Sequence, residues 1–173
     1  MCIRDRAKAL GNNDPAVKLL VHILAHLSST QRQALVARDT YKRVPLHYSA
    51  QYGLVAASEV IIRHMQVWGQ CDISQGIDSE SWQDLEGYAP LHLSVIGGHF
   101  RTTQALLTSS NWLGDSGDDV PAGKLVRKSG AVLALATKSN FFKIVQLLVD
   151  AGVDLNYQAV SYTHLTLPTI LRV

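Results

Sequence analysis

A seven-residue phrase recurs along this chain: Val44-Pro45-Leu46-His47-Tyr48-Ser49-Ala50, then Ala89-Pro90-Leu91-His92-Leu93-Ser94-Val95, then a worn copy, Ala131-Val132-Leu133-Ala134-Leu135-Ala136-Thr137. Recurrence of this kind means a stack of like units, each too small to bury its apolar face alone and stabilised by its neighbours. Proline opens the first two copies, as suits the first turn of a helix, where its missing N–H would have no partner. Aligned on His47, His92 and Ala134, the copies lie 45 and 42 residues apart. With 47% apolar residues in 173, there is enough material for one domain with a real core. A stack of this sort offers an extended surface rather than an enclosed pocket, which directs function toward binding.

The phrase resembles the T-P-L-H-x-A signature of ankyrin repeats, whose period is about 33 residues. The resemblance implies an all-α ankyrin-repeat solenoid with three recognisable repeats, two long insertions of roughly 12 and 9 residues, and a partial repeat at the front. The array spans residues 7–158: a partial repeat over 7–36, then repeats at 37–83, 84–125 and 126–158. In the first full repeat, residues 39–43 form the hairpin loop, 45–51 the first helix and 55–65 the second. The second repeat has its second helix at about 101–107, and residues 140–156 match the second helix and exit loop of the third, with Gly152 where the helix must stop. Asn13 or Asp14 caps the leading helix, with Pro15 just inside. The tails at 1–6 and 159–173 resemble translated adapter sequence and are set apart from the fold. The natural array is expected to continue past both ends, so the isolated segment should be marginally stable or self-associating.

Charge gives no reason to invoke nucleic acid. Arg4, Asp5, Arg6 and Arg172, all in the tails, carry the whole net charge of +2. No apolar run reaches the roughly 18 residues of a membrane span, and no basic-then-apolar leader opens the chain. Two cysteines, Cys2 and Cys71, suggest neither a disulfide framework nor a zinc site. The expected setting is intracellular, cytoplasmic or nuclear.

Residues that tempt a catalytic reading have plainer roles. In an ankyrin repeat the histidine of the phrase bridges the turn into the helix by hydrogen bonds, which fits His47 and His92; His99 follows Gly98 as a helix-starting pair. His22 and His26 stand four apart, but no acidic or cysteine partner has a suitable spacing for a metal. Asp78 with Glu80, and Asp118 with Asp119, sit in polar insertions that read as solvated loops. There is no glycine-rich phosphate loop and no activated nucleophile, so the expectation is a non-catalytic segment without metal or cofactor.

The binding surface of such an array is its concave face, built from hairpin tips and exposed positions of the first helices. Those positions hold Thr40, Tyr41, Arg43, Gln51 and Tyr52 in the first repeat, Leu85, Glu86, Tyr88 and Ile96 in the second, and Arg127, Lys128 and Lys138 in the third. Tyrosine and arginine often anchor protein interfaces. Leu46, Leu91, Leu106, Leu133 and Leu147 are expected in the core. Trp68, Trp82 and Trp112 lie in or beside the insertions and are expected to pack those loops onto the second helices.

The segments Ala37-Arg38-Asp39-Thr40-Tyr41-Lys42-Arg43, Gly69-Gln70-Cys71-Asp72-Ile73-Ser74-Gln75-Gly76-Ile77-Asp78, and Trp82-Gln83-Asp84 with Gly87-Tyr88 resemble the ankyrin region of fungal phosphate-response proteins. In that family an SPX domain precedes the array and a glycerophosphodiester phosphodiesterase-like domain follows it. The resemblance implies a fragment of a phosphate-starvation regulator that inhibits a cyclin–cyclin-dependent kinase complex. The alternative it leaves is the ankyrin spacer of a cytoplasmic glycerophosphodiester phosphodiesterase, docking a domain of its own parent chain; a generic ankyrin scaffold is the third reading.

Overall fold

A computed structural model describes residues 14–70, 82–108 and 130–153. Among them are seven α-helices, a single 3-10 turn at Gln31–Leu35 and no strand. The helices are α1 (Pro15–Ala25), α2 (Pro45–Gln51), α3 (Val55–Val67), α4 (Pro90–Ile96), α5 (Phe100–Thr108), α6 (Gly130–Lys138) and α7 (Phe142–Asp150). The chain is therefore all-α in its described part, and none of these helices is long and apolar enough to cross a membrane.

Three helix pairs follow one another. Within each, α2 packs on α3, α4 on α5 and α6 on α7. Between pairs, α2, α4 and α6 form an inner layer while α1, α3, α5 and α7 form an outer one. The start signals act as expected: the Asp14 side chain accepts the Ala16 N–H at 2.7 Å, with Pro15 in the first turn. Each inner helix ends in a left-handed residue, Gly53 (φ +69°), Gly98 (φ +69°) and Asn140 (φ +57°), the residue types that best tolerate that conformation. These three positions repeat the 45- and 42-residue spacing, so the worn third copy keeps the backbone turn without the glycine.

The core runs through the contact between pairs. Leu46, Val95, Val132 and Leu148 are fully buried, and Leu91 and Leu106 nearly so. Leu133 and Leu147, expected in the core, are only half-buried, because among the described residues no further helix pair packs over α6 and α7. Trp82 is buried in the core and Trp68 is half-buried against it; Trp112 lies outside the described residues.

Inner and outer helices are also joined by hydroxyl groups. Ser58 donates to Ser49 at 2.9 Å, and Ser94 meets Thr103 at 3.0 Å. Ser49 and Ser94 in turn donate to the carbonyls of Leu46 and Leu91 at 3.1 and 2.9 Å, so these buried hydroxyls are satisfied. Ala136 and Val145 occupy the same positions in the third pair.

Candidate protein-interaction surface

The loops that precede α2 and α4 share one design. Asp39 Oδ1 accepts the N–H groups of Tyr41 and Arg43 at 2.9 and 2.8 Å; 45 residues on, Asp84 Oδ1 accepts those of Glu86 and Tyr88, both at 2.9 Å. Each carboxylate thus folds its own hairpin tip by bonding the backbone two and four residues ahead. The tips are tied together where the Leu85 N–H donates to the Tyr41 carbonyl at 3.0 Å, and Arg38 bridges the Lys42 and Gln83 carbonyls at 2.9 and 3.0 Å.

Arg43 spans the two units. Its Nε donates to Asp84 Oδ2 at 2.8 Å, Nη1 to Gln51 Oε1 at 3.2 Å and Nη2 to Glu86 Oε2 at 3.5 Å. The Asp84 side chain is only 1% exposed and Arg43's 14%, so this is a nearly dry ion pair. Burial pushes the Asp84 carboxyl upward, but the Tyr88 N–H, the Arg43 guanidinium and the Glu86 N–H outweigh it and hold its pKa below the usual aspartate value. The hydrogen bond to Asp84 raises Arg43 in turn. On the outer rim the Tyr48 hydroxyl donates to Asp39 Oδ2, which lowers the Asp39 pKa and raises that of Tyr48.

Both histidines of the phrase are buried and bridge the turn into their helix. The Val44 N–H donates to His47 Nδ1 at 3.1 Å, and the Ala89 N–H to His92 Nδ1 at 3.2 Å. With Nδ1 accepting, His47 carries its proton on Nε2 and donates to the Trp82 carbonyl at 2.9 Å. Burial lowers the pKa of His47. Folding therefore favours the neutral ring, and its contribution is complete above the unfolded value of about 6.5 and lost as pH falls below it. We expect the urea midpoint to drop between pH 7.5 and pH 5, with His47→Gln showing a smaller drop; an equal drop in both proteins would remove His47 as the cause.

The residues expected on the binding face divide into two sets. Tyr41, Tyr52, Leu85 and Ile96 are 61%, 52%, 58% and 43% exposed, and Thr40, Glu86 and Lys138 are exposed as well. These lie at hairpin tips or on inner helices and their C-terminal ends, on the inner-layer side. Arg43, Gln51 and Tyr88 are half-buried, and Arg43 and Gln51 are engaged with each other. Arg127 and Lys128 lie outside the described residues, as do Asp78, Glu80, Asp118, Asp119 and both cysteines. Sequence reading overlooked Asp39, Tyr48 and Asp84; the signal was the repetition of an aspartate at the same step, 45, as the histidines.

On α1 the His26 ring meets the His22 carbonyl at 2.7 Å. Among the described residues no group of three or more His, Cys, Asp or Glu side chains could hold a metal ion.

No protein-family model matches the chain. Fungal proteins do, two of them as follows. The chain is 38% identical over 149 residues to the glycerophosphocholine phosphodiesterase GDE1 of Eremothecium gossypii, covering 85% of this chain and 10% of that protein. It is 35% identical over 156 residues to the protein of the same name from Candida albicans, covering 89% of this chain and 12% of that one. The chain thus spans about a tenth of the length of the curated relatives it matches, and its similarity is to one segment of two fungal phosphodiesterases.

Proposed function

We propose that this chain is a non-catalytic, ankyrin-type segment of a fungal phosphodiesterase related to GDE1, holding another part of the same parent through its inner-layer surface. One observation carries this reading: nearly the whole chain aligns with about a tenth of proteins named as phosphodiesterases. Among the three readings drawn from the sequence, that favours the phosphodiesterase spacer over the kinase inhibitor.

The geometry supports a binding role. The polar side chains with shifted pKa values, Asp39, Arg43, His47, Tyr48 and Asp84, bond to one another or to backbone and build the loops. The hairpin tips and the ends of the inner helices present Tyr41, Tyr52, Leu85 and Ile96 outward, beside the exposed Thr40 and Glu86. Such exposed side chains on a rigid frame are the material of protein interfaces. A cytoplasmic setting goes with this reading.

The test is capture of the remainder of the Candida albicans relative, expressed without its matching segment, on the immobilised chain. Tyr41→Ala and Tyr52→Ala are each expected to weaken capture by about 1–2 kcal/mol, roughly 5–30-fold. Equal capture by wild type and both variants would sink the surface assignment. Capture of a cyclin–kinase pair in preference to the phosphodiesterase would reinstate the inhibitor reading, and hydrolysis of glycerophosphocholine by the chain alone would overturn both.

A further inference from the structure

α1 ends on two histidines one turn apart. His22 and His26 are both exposed, and their ring centroids lie 4.3 Å from each other with the planes tilted by 44°. Residues four apart stand one above the other on a single helix face. An ion about 2.0–2.1 Å from one nitrogen of each ring would set the centroids about 4.5–5 Å apart, so the observed separation is close to the one a chelate requires.

The last turn of α1 decides which nitrogen of His26 is available. The His26 backbone N–H turns to the Ile23 carbonyl at 3.1 Å instead of continuing the helical pattern to His22. The His22 carbonyl meets the His26 ring in its place, 2.7 Å from Nδ1. A carbonyl can only accept, so Nδ1 carries the proton and the lone pair of the neutral ring lies on Nε2. Donation from one ring nitrogen to a backbone carbonyl is the usual support of a metal-ligating histidine, because it sets the ring's angle and makes the other nitrogen more basic. The C-terminus of the helix adds a partial negative charge at the same end, which favours a cation.

His64 has the same support without a second imidazole. Its Nδ1 meets the Val60 carbonyl at 2.8 Å, but the side chain four residues on is Trp68, whose ring lies edge-on to it at 5.3 Å. His47, His92 and His99 bond backbone groups of the fold.

We propose that His22 and His26 chelate one divalent transition-metal ion, each through a ring nitrogen, with water in the remaining positions. Sequence spacing offers no acidic or cysteine partner, yet an ion on an exposed face completes its shell from solvent. Imidazole suits Cu²⁺, Ni²⁺ and Zn²⁺, with Cu²⁺ held most tightly, whereas Mg²⁺ and Ca²⁺ take oxygen ligands. Lys18, one turn earlier on the same strip, is exposed, so its charge is screened by water and salt. α1 belongs to the outer layer, which keeps this site apart from the Tyr41 and Tyr52 surface.

The experiment uses the full chain with Cys2→Ser, Cys71→Ser and His164→Gln, which removes the thiols and the histidine of the tail. It is titrated with Cu²⁺ and with Zn²⁺ by calorimetry, and its urea midpoint is read at rising ion concentration. One ion per chain is expected, with a midpoint that climbs with the logarithm of concentration, since an ion that binds the folded chain stabilises it by mass action. His22→Gln and His26→Gln should each weaken Cu²⁺ binding by about tenfold or more and move the climb to correspondingly higher concentration. His64→Gln should leave both readings unchanged, and Mg²⁺ should produce neither. No Cu²⁺ binding to a chain that is helical by circular dichroism would overturn the proposal. So would equal binding by wild type and His22→Gln, or a stoichiometry of two chains per ion, which would place the site between copies.

Discussion

Asp84→Ala is expected to lower the stability of the chain by about 3–5 kcal/mol, the usual cost of removing one partner of a buried ion pair. Three groups lose their acceptor at once: the N–H groups of Glu86 and Tyr88 and the Nε of Arg43. The Arg43 guanidinium is then left with Gln51 at 3.2 Å and an exposed Glu86 at 3.5 Å, in a site where its side chain is 14% exposed. Asp84→Asn separates the contributions. Its amide oxygen can still accept from the two backbone N–H groups, while its NH2 faces the Arg43 Nε–H, so the loss should be smaller and confined to the charge and hydrogen bond toward Arg43. Urea unfolding followed by circular dichroism reads both variants. A loss below about 1 kcal/mol for Asp84→Ala, the size of an average surface change, would mean that Arg43 and Asp84 do not couple the two hairpin tips.

Leu91→Ala comes next, at about 2–5 kcal/mol for a cavity in a packed interior. Leu91 is 1% exposed on α4, and α4 packs against α2 on one side and α6 on the other. The neighbours on both sides are already in contact, so little collapse can refill the space. Leu133 holds the same position in the third pair but is half-buried. Leu133→Ala should therefore cost clearly less, and equal losses at the two sites would contradict the view that burial between pairs sets the energetics.

The helices were legible because their signals are local. Proline at 45 and 90 and the cap at Asp14 each act within a few residues, and the 45- and 42-residue steps carry over into the backbone unchanged. The core was legible only in part. Leu133 and Leu147 match the pattern of Leu91 and its neighbours, but burial of an interface residue depends on what stacks over it, and periodicity within one unit is silent on that. The surface was the least legible. Arg43 reads as an anchor for a partner, yet its guanidinium bonds across to Asp84, 41 residues away. Only the fold of the two hairpin tips brings those groups together, and the repeated aspartate hinted at the loop without showing the arginine's direction.

The hydroxyl pairs between inner and outer helices have a consequence for how the units move. A hydrogen bond such as Ser58 to Ser49 has a direction and a narrow range of distance, so it fixes the rotation of one helix against the other. Ala136 and Val145 impose no such angle, because dispersion contacts are non-directional and tolerate small slides. The first two pairs are thus keyed and the third is smooth. A partner seated across all three would meet two rigid units and one that can adjust its pitch, so accommodation to an imperfect fit would begin at α6 and α7.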